Sequence, residues 1–140
     1  MILLDTNLIS ELMRIEPAQI VLDWFGKYDA GDLFISAVTE AELRTGVAIL
    51  PEGQRRDRLQ LAIDAMIDQD FQSRVLPFDS LAAKAYAEIA SQRRAAGRPI
   101  AEADCQIAAI ARATDAPIAT RNVKDFDGCG VRVINPWNAE

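Results

Sequence analysis

The feature that most constrains the fold is an alternation of short apolar runs with longer segments of helical periodicity. The apolar runs are residues 1–4, 33–35, 74–76, 117–119 and 131–134. Runs that are short and continuously apolar are typical of strands buried on both faces. Because helical segments separate most of them, the pattern predicts an α/β fold with three layers. Helices would flank a central, mainly parallel sheet of about five strands.

The helical segments have recognisable starts and stops. They are expected at about residues 7–14, from 17 onward, from 36 or 39 to 50, around 59–67, from 79 or 80 to 96, and at 101–114. Either Ser36 or Thr39 can cap the third helix, and either Asp79 or Ser80 can cap the fifth. Gly97 is a fitting stop for the fifth helix.

The composition predicts a single domain, residues 1–140. Hydrophobic residues make up 50% of the chain and charged residues 26%, without a linker-like stretch or a repeat. The N-terminal MILLD lacks the features of a signal peptide, and no apolar run is long enough to cross a membrane. We therefore expect a cytoplasmic protein with no membrane contact, whose cysteines, Cys105 and Cys129, are reduced thiols.

The charge balance and the absence of histidine exclude several functions. A net charge of −6 argues against a protein that coats nucleic acid through a basic surface, although metal ions bound by clustered acids can reverse the local charge. Without histidine, a Ser-His-Asp hydrolase or a ribonuclease with a histidine pair is excluded. A solvated helix face is the ordinary explanation of two arginine groups, and we favour it for the first: Arg55, Arg56 and Arg58, and Arg93, Arg94 and Arg98.

Polar residues follow the predicted strands at the edge where open α/β sheets bind ligands. Asp5 follows the first strand, and Thr120 and Asn122 follow the fourth. Glu42 lies early in the helix after the second strand, and Asp104 lies in the first turns of the helix that leads to the fourth. These positions predict a cluster of carboxylates at one end of the sheet.

Each acid also has an ordinary explanation. Asp5 can cap the helix that follows it, and Asp104 lies where the helix dipole favours an acid. Glu42 can be an exposed helix residue, and Asp125 can belong to a surface turn. Together, however, three or four acids near the core edge are costly unless something compensates their charge. A hard cation such as Mg²⁺ or Mn²⁺ is one compensation, and without it at least one carboxylate should have a raised pKa.

Four ordered motifs carry a family resemblance that covers nearly the whole chain. They are MILLDTNLISE, SAVTEAELRTGVAIL, PIAEADCQIAAIA and ATRNVKDF, followed by the ending NPW. The sequence resembles the PIN-domain toxins of the VapC family, especially the FitB-like branch. The resemblance implies a PIN-like fold and a Mg²⁺-dependent endoribonuclease, with Mn²⁺ as an alternative metal. It also implies that the family's acids are matched by Asp5, Glu42 and Asp104, which would hold the metal.

The fourth acid of the family is where this sequence departs from the simplest pattern. Position 122 is Asn, and Asp125 can take the role instead. An amide adds no charge, so one-metal and two-metal sites both stay open. The remaining polar residues would orient the carboxylates or contact substrate: Thr6, Asn7, Thr120, Arg121 and Asn122. A surface salt bridge is the ordinary alternative for Arg121.

The resemblance further implies partners. Family members are held inactive by a cognate VapB-like or FitA-like antitoxin, which usually carries the DNA-binding domain, so DNA would be bound only through the antitoxin. A homodimer that forms a higher assembly with antitoxin is expected, with RNA as substrate.

Rival functions remain at this point. A catalytically weak or silent module that acts in antitoxin-bound and DNA-bound regulation is one, and Asn122 is its main support. A receiver domain or an aspartyl-phosphate enzyme is another, because Asp5 follows the first strand. That class usually has a second Asp two residues later, which is absent, and Lys124 is the only candidate for its lysine. Cleavage of DNA instead of RNA is a closer variant.

Overall fold

The computed structural model describes residues 1–138 and contains one five-stranded sheet within that range. The strands are β1 (Ile2–Leu4), β2 (Leu33–Ser36), β3 (Val75–Leu76), β4 (Ile118–Ala119) and β5 (Val133–Ile134). Their order across the sheet is β3-β2-β1-β4-β5, and every neighbouring pair is parallel. The predicted α/β class, the strand number and the parallel sheet are confirmed.

Six α-helices connect or follow these strands. They are α1 (Thr6–Leu12), α2 (Gln19–Phe25), α3 (Ala37–Ala48), α4 (Gln54–Ala65), α5 (Ser80–Ala95) and α6 (Glu102–Ala113). A π-helical turn, Met66–Asp70, extends α4, and short 3₁₀ turns cover Ala30–Asp32, Val123–Phe126 and Pro136–Asn138. Over residues 1–138, no helix has both the length and the apolar composition that a membrane crossing requires.

The three layers follow from the alternation of side chains along β1. Ile2 and Leu4 point to one face, where they join a core that also contains residues of α1–α4. Leu3 points to the other face, into a core with α5 and α6. Since Leu3 and Leu4 are both fully buried, the central strand needs a continuous apolar run rather than an alternating one.

The strand order creates a reversal next to β1. The chain runs from β1 through β2 to β3 on one side, and then returns to place β4 on the other side of β1. Leu4 of β1 pairs with Ala119 of β4, so Asp5 and Thr120 leave adjacent strands at the same level. Ligands of open α/β sheets bind at such a switch point.

Side-chain caps decide two alternatives left by the sequence. Ser36, not Thr39, caps α3, because its Oγ accepts a hydrogen bond from the backbone N–H of Thr39 at 3.0 Å. Asp79, not Ser80, caps α5 through the N–H of Ala82 at 3.0 Å. After α5, Gly97 adopts a φ of 73°, as expected for its role as a stop.

The start of α2 differs from the expectation. The helix begins at Gln19, two residues after Pro17. The N–H of Ala18 is satisfied by Glu11 of α1, whose Oε2 accepts it at 2.9 Å. Glu11 is buried, and this hydrogen bond is the main reason that its pKa lies below the usual range. A carboxylate from the preceding helix therefore fixes how the chain enters α2.

Candidate active site

Three donors hold the side chain of Asp5 at the carboxyl end of β1. It is 4% exposed, and its Oδ1 accepts a hydrogen bond from the backbone N–H of Thr6 at 2.8 Å. Its Oδ2 accepts from Thr120 Oγ1 at 2.7 Å and from Asn7 Nδ2 at 3.2 Å. Asp5 is thus the cap of α1 and also part of a network that joins β1 to β4. The predicted supporting residues Thr6, Asn7 and Thr120 all contact it.

Burial raises the pKa of Asp5 above its usual value. The hydrogen bonds from Thr120 and Thr6 stabilise the charged form and oppose this shift, whereas the negative charges of Glu42 and Asp125 add to it. The direction of the shift means that the donors offset only part of the cost of burying the charge among other acids.

Glu42 reaches the same region from the second turn of α3. Its side chain is exposed, and its Oε1 accepts a hydrogen bond from Thr6 Oγ1 at 2.6 Å. Thr6 Oγ1 also lies 3.0 Å from the hydroxyl oxygen of Thr39, which is buried against Ser36. Thr6 therefore links the two acids, because its backbone binds Asp5 and its side chain binds Glu42.

Asp104 lies in the first turn of α6 and carries the largest shift among these acids. Its pKa is raised to about 6, first by burial and then by the negative charges of Asp5, Asp125 and Glu42, and the positive charge of Arg93 opposes this only in part. The side chain is half-buried. Asp104 therefore lies within electrostatic range of the other three acids, and the direction of its pKa shift is the one expected for a carboxylate in a metal-free cluster.

Asp125 and Asn122 both lie in the loop after β4. Asp125 belongs to the turn Val123–Phe126, is exposed, and raises the pKa of both Asp5 and Asp104 through its charge. Asn122 is also exposed, and its backbone N–H donates to Thr120 Oγ1 at 3.0 Å. Of these two residues, Asp125 is the one that adds negative charge to the cluster.

Arg93 of α5 holds this loop in place and was missed as a site-supporting residue. It is buried, and its Nη1 donates to the carbonyl oxygens of Asp125 at 3.0 Å and Asp127 at 2.9 Å. Its Nε donates to the carbonyl of Arg98 at 2.7 Å. The interpretation as a solvated face is wrong for this residue. The signal was present, because positions 82, 85, 89 and 93 form one buried stripe of α5.

Within residues 1–138, the carboxylates are not arranged as a set of metal ligands. Among the described residues, no three Asp, Glu or Cys side chains are arranged so that they could hold one ion. What the site does show is an excess of negative charge, with Asp104 only partly compensated by Arg93. This donor chemistry fits a hard divalent cation, since carboxylate oxygens are the ligands that such ions prefer.

A groove opens beside the acids between α1, α3 and α4. Its volume is about 1090 Å³, and it begins at Thr6 and Glu42. The lining is mainly apolar, with Met13, Leu43 and Leu59 among its residues. Arg55 and Arg58 of the first arginine group lie along it, and both are exposed, as predicted.

Comparison with known proteins gives a consistent family. The PIN domain family matches residues 2–128. Plasmid stability protein StbB of Pseudomonas syringae is 47% identical over 99% of this chain and 100% of its own length. A VapC ribonuclease of Sinorhizobium fredii is 42% identical over 98% of both chains, and toxin FitB of Neisseria gonorrhoeae is 42% identical over 99% of both.

Solved structures agree with these relatives. FitAcB from Neisseria gonorrhoeae matches with a TM-score of 0.93 and 42% identity over 99% of this chain and 100% of the other. FitAB bound to a DNA fragment matches with a TM-score of 0.94 and 41% identity over 100% and 98%. The receiver and aspartyl-phosphate alternatives are wrong. The chain belongs to the PIN-domain family and, within it, to the VapC and FitB group of toxins.

Proposed function

We propose that this chain is a divalent-metal-dependent endoribonuclease that acts as the toxin of a toxin–antitoxin pair. The observation that carries the proposal is the position of Asp104, whose pKa is raised to about 6 by burial and by the charges of three other acids. Perturbed carboxylates gathered at a sheet switch point are typical of a functional site. The name of the Sinorhizobium fredii relative, a VapC ribonuclease, supports RNA as substrate.

Mg²⁺ is the proposed metal, with Mn²⁺ as an alternative. Asp5 and Asp104 would hold it directly, and Glu42 would complete the set or act through water. When bound, the ion would lower the pKa of a water molecule and stabilise charge on the phosphoryl oxygens. Asp125 would supply the fourth acid in place of Asn122.

The protein residues would orient the reacting groups and move the proton. Thr120, Asn7 and the N–H of Thr6 keep the Asp5 carboxylate in one orientation, because all three donate to it. A carboxylate oxygen of Glu42 or Asp125 would receive the proton of the attacking water. Since the chain has no histidine, the leaving 3′-oxygen would be stabilised by the metal or by solvent.

The partners in this proposal are an antitoxin, DNA and a second copy of the chain. The similar structures named FitAB, one of them bound to DNA, support a VapB-like or FitA-like antitoxin that makes the DNA contact. The apolar groove beside Glu42 is a candidate surface for an antitoxin segment. We further propose that residues 1–140 form one domain, that the toxin is a homodimer, and that it acts in the cytoplasm, where RNA and promoter DNA are present.

The test compares cleavage of RNA with Mg²⁺ against an EDTA control, using Asp5→Asn and a matched variant. Asp115→Asn is the match, because it removes one exposed acid from the turn before β4, at the opposite end of the sheet. Asn tolerates the φ of 54° found there. Asp5→Asn should lower cleavage by at least about 100-fold, since it removes a metal ligand. Asp115→Asn should cleave at the parent rate.

The outcomes separate the candidate functions. Cleavage at the parent rate by Asp5→Asn, or undiminished cleavage in EDTA, would overturn the assignment. Cleavage of single-stranded DNA in preference to RNA would point to the DNA variant. A parent protein that binds antitoxin and promoter DNA but cleaves no RNA would support the silent regulatory module.

A further inference from the structure

Arg121 is a positive charge beside the acidic site, and within residues 1–138 its side chain forms no ion pair with a carboxylate. It directly follows Thr120, whose hydroxyl donates to Asp5, and its own backbone N–H donates to Asn7 Oδ1 at 3.4 Å. The side chain is exposed, and none of the ion pairs among residues 1–138 includes it. The alternative of a surface salt bridge is therefore not realised in the described part of the chain.

The guanidinium of Arg121 is not loose, because an aromatic ring holds it. Its central carbon lies 5.1 Å from the centre of the Trp137 ring, within the range of a cation–π interaction. Glu11 lies within electrostatic range of Arg121, whose charge contributes to lowering the pKa of Glu11. The oxygens of Glu11, however, already accept from Ala18 and Arg14.

Trp137 is itself fixed. It lies in the turn Pro136–Asn138, its backbone N–H donates to Asn135 Oδ1 at 3.0 Å, and Pro136 beside it is buried. The indole is half-buried and packs against the core formed by α1–α4. The ring, carried on a packed turn, therefore holds the exposed guanidinium of Arg121 in one place, which reduces the conformational entropy lost when it binds a ligand.

We infer that Arg121, held over the indole of Trp137, binds a backbone phosphate of the RNA strand next to the one that is cleaved. The inference rests on the proposed ribonuclease function and extends it to a substrate contact. A protein of net charge −6 repels RNA on average, so a cationic side chain beside the acids would favour RNA binding, and arginine is well suited to phosphate. Trp137 is a positioning residue in this scheme and makes no contact with the reacting atoms.

The test measures binding of a fluorescein-labelled single-stranded RNA of mixed sequence to the full chain, in the Asp5→Asn background so that the probe is not cleaved. Arg121→Gln should weaken binding roughly tenfold, the loss expected for one charge-assisted contact. The slope of log Kd against log salt should fall by about 0.7, the value for one phosphate on a single strand. Arg132→Gln, which removes an exposed arginine just before β5, should leave both quantities unchanged.

A second set of variants tests whether Trp137 positions Arg121. Trp137→Leu should weaken RNA binding, whereas Trp137→Phe, which keeps an aromatic face, should restore most of it. In a double-mutant cycle, Trp137→Leu should cost little further affinity once Arg121 is Gln, because the ring acts through the guanidinium. In the cleaving protein, Arg121→Gln should raise KM while kcat stays near that of the parent.

The outcomes distinguish this inference from the function on which it rests. If the parent cleaves RNA but Arg121→Gln behaves like Arg132→Gln, the phosphate contact is wrong and the ribonuclease proposal stands. If Trp137→Leu weakens binding equally with Arg or Gln at position 121, the positioning role is wrong. If the parent neither binds nor cleaves RNA, both proposals fail.

Discussion

At the scale of single residues, the raised pKa of Asp104 makes the stability of the folded protein depend on pH. Its pKa is raised to about 6 in the folded protein, first by burial and then by the charges of Asp5, Asp125 and Glu42. An acid with a raised pKa binds its proton more tightly in the folded than in the unfolded chain. Its contribution is therefore most favourable at low pH and is lost as the pH rises from about 4 to about 6.

Replacing Asp104 by Asn should therefore stabilise the metal-free protein above that window. In EDTA at a pH of about 7.5, Asp104→Asn should melt about 2–4 °C above the parent, the effect of roughly 1 kcal/mol after allowance for solvent screening. At a pH of about 4.5 the difference should be much smaller, because the parent is then mostly protonated at this site. Thermal melts at both pH values check this.

Glu102→Gln is the matched control for that measurement. Glu102 lies in the same first turn of α6 but is exposed, so its substitution should not reproduce the pH-dependent gain. Equal melting shifts for Asp104→Asn at both pH values would contradict the electrostatic account.

At the scale of elements, the site depends on the packing of α5 against the loop after β4. Arg93 at the end of α5 is hydrogen-bonded to three carbonyl groups, two of which belong to the loop that carries Asp125. A buried guanidinium that satisfies several carbonyls is costly to remove, because the carbonyls lose partners that water cannot easily replace. One arginine therefore couples the stability of the loop to the position of an acid.

Arg93→Met should lower the free energy of unfolding by about 2–4 kcal/mol, since it keeps the apolar stem but removes these hydrogen bonds. RNA cleavage should fall in conditions where the variant is still folded, because Asp125 is no longer held. Urea unfolding and a cleavage assay measure the two effects. Arg94→Met, at the exposed neighbouring position, should change neither. Similar stabilities for the two variants would show that the buried contacts contribute little.

At the scale of the whole molecule, metal binding and folding should be linked. The carboxylates come from the residue between β1 and α1, from α3 and α6, and from the loop after β4, so the site exists only when the chain is folded. A ligand that binds the folded chain alone stabilises it by mass action. Because the net charge is −6, added salt can also stabilise the protein by screening its charges. A control must therefore separate screening from specific metal binding.

MgCl₂ or MnCl₂ should therefore raise the melting temperature of the parent, by the equivalent of about 2.7 kcal/mol when the ion is at a hundred times its Kd. Asp5→Asn should lose most of this response. NaCl at the same ionic strength serves as the control and should have a much smaller effect. An equal rise in Asp5→Asn, or with NaCl, would mean that screening rather than a specific site is responsible.

The sequence by itself determined the layered α/β fold and the edge at which the site lies. A central strand buried on both faces requires a continuous apolar run. The buried face of a helix such as α3 requires apolar residues at helical spacing. The local pattern of apolar residues therefore indicates which faces are buried. The placement of Asp5 immediately after the first run, and of Thr120 after the fourth, follows from the same pattern.

Only the tertiary structure decided which distant groups meet. The pairing of Leu4 with Ala119 brings Asp5 to Thr120, and the packing of α5 buries Arg93 beneath the loop that holds Asp125. The tertiary structure also shows that Ser36, not Thr39, caps α3, and that the guanidinium of Arg121 lies over the ring of Trp137. Periodicity records how each element faces the core. It carries no information on the register, the strand order or the loop paths that bring residues more than a hundred positions apart into contact.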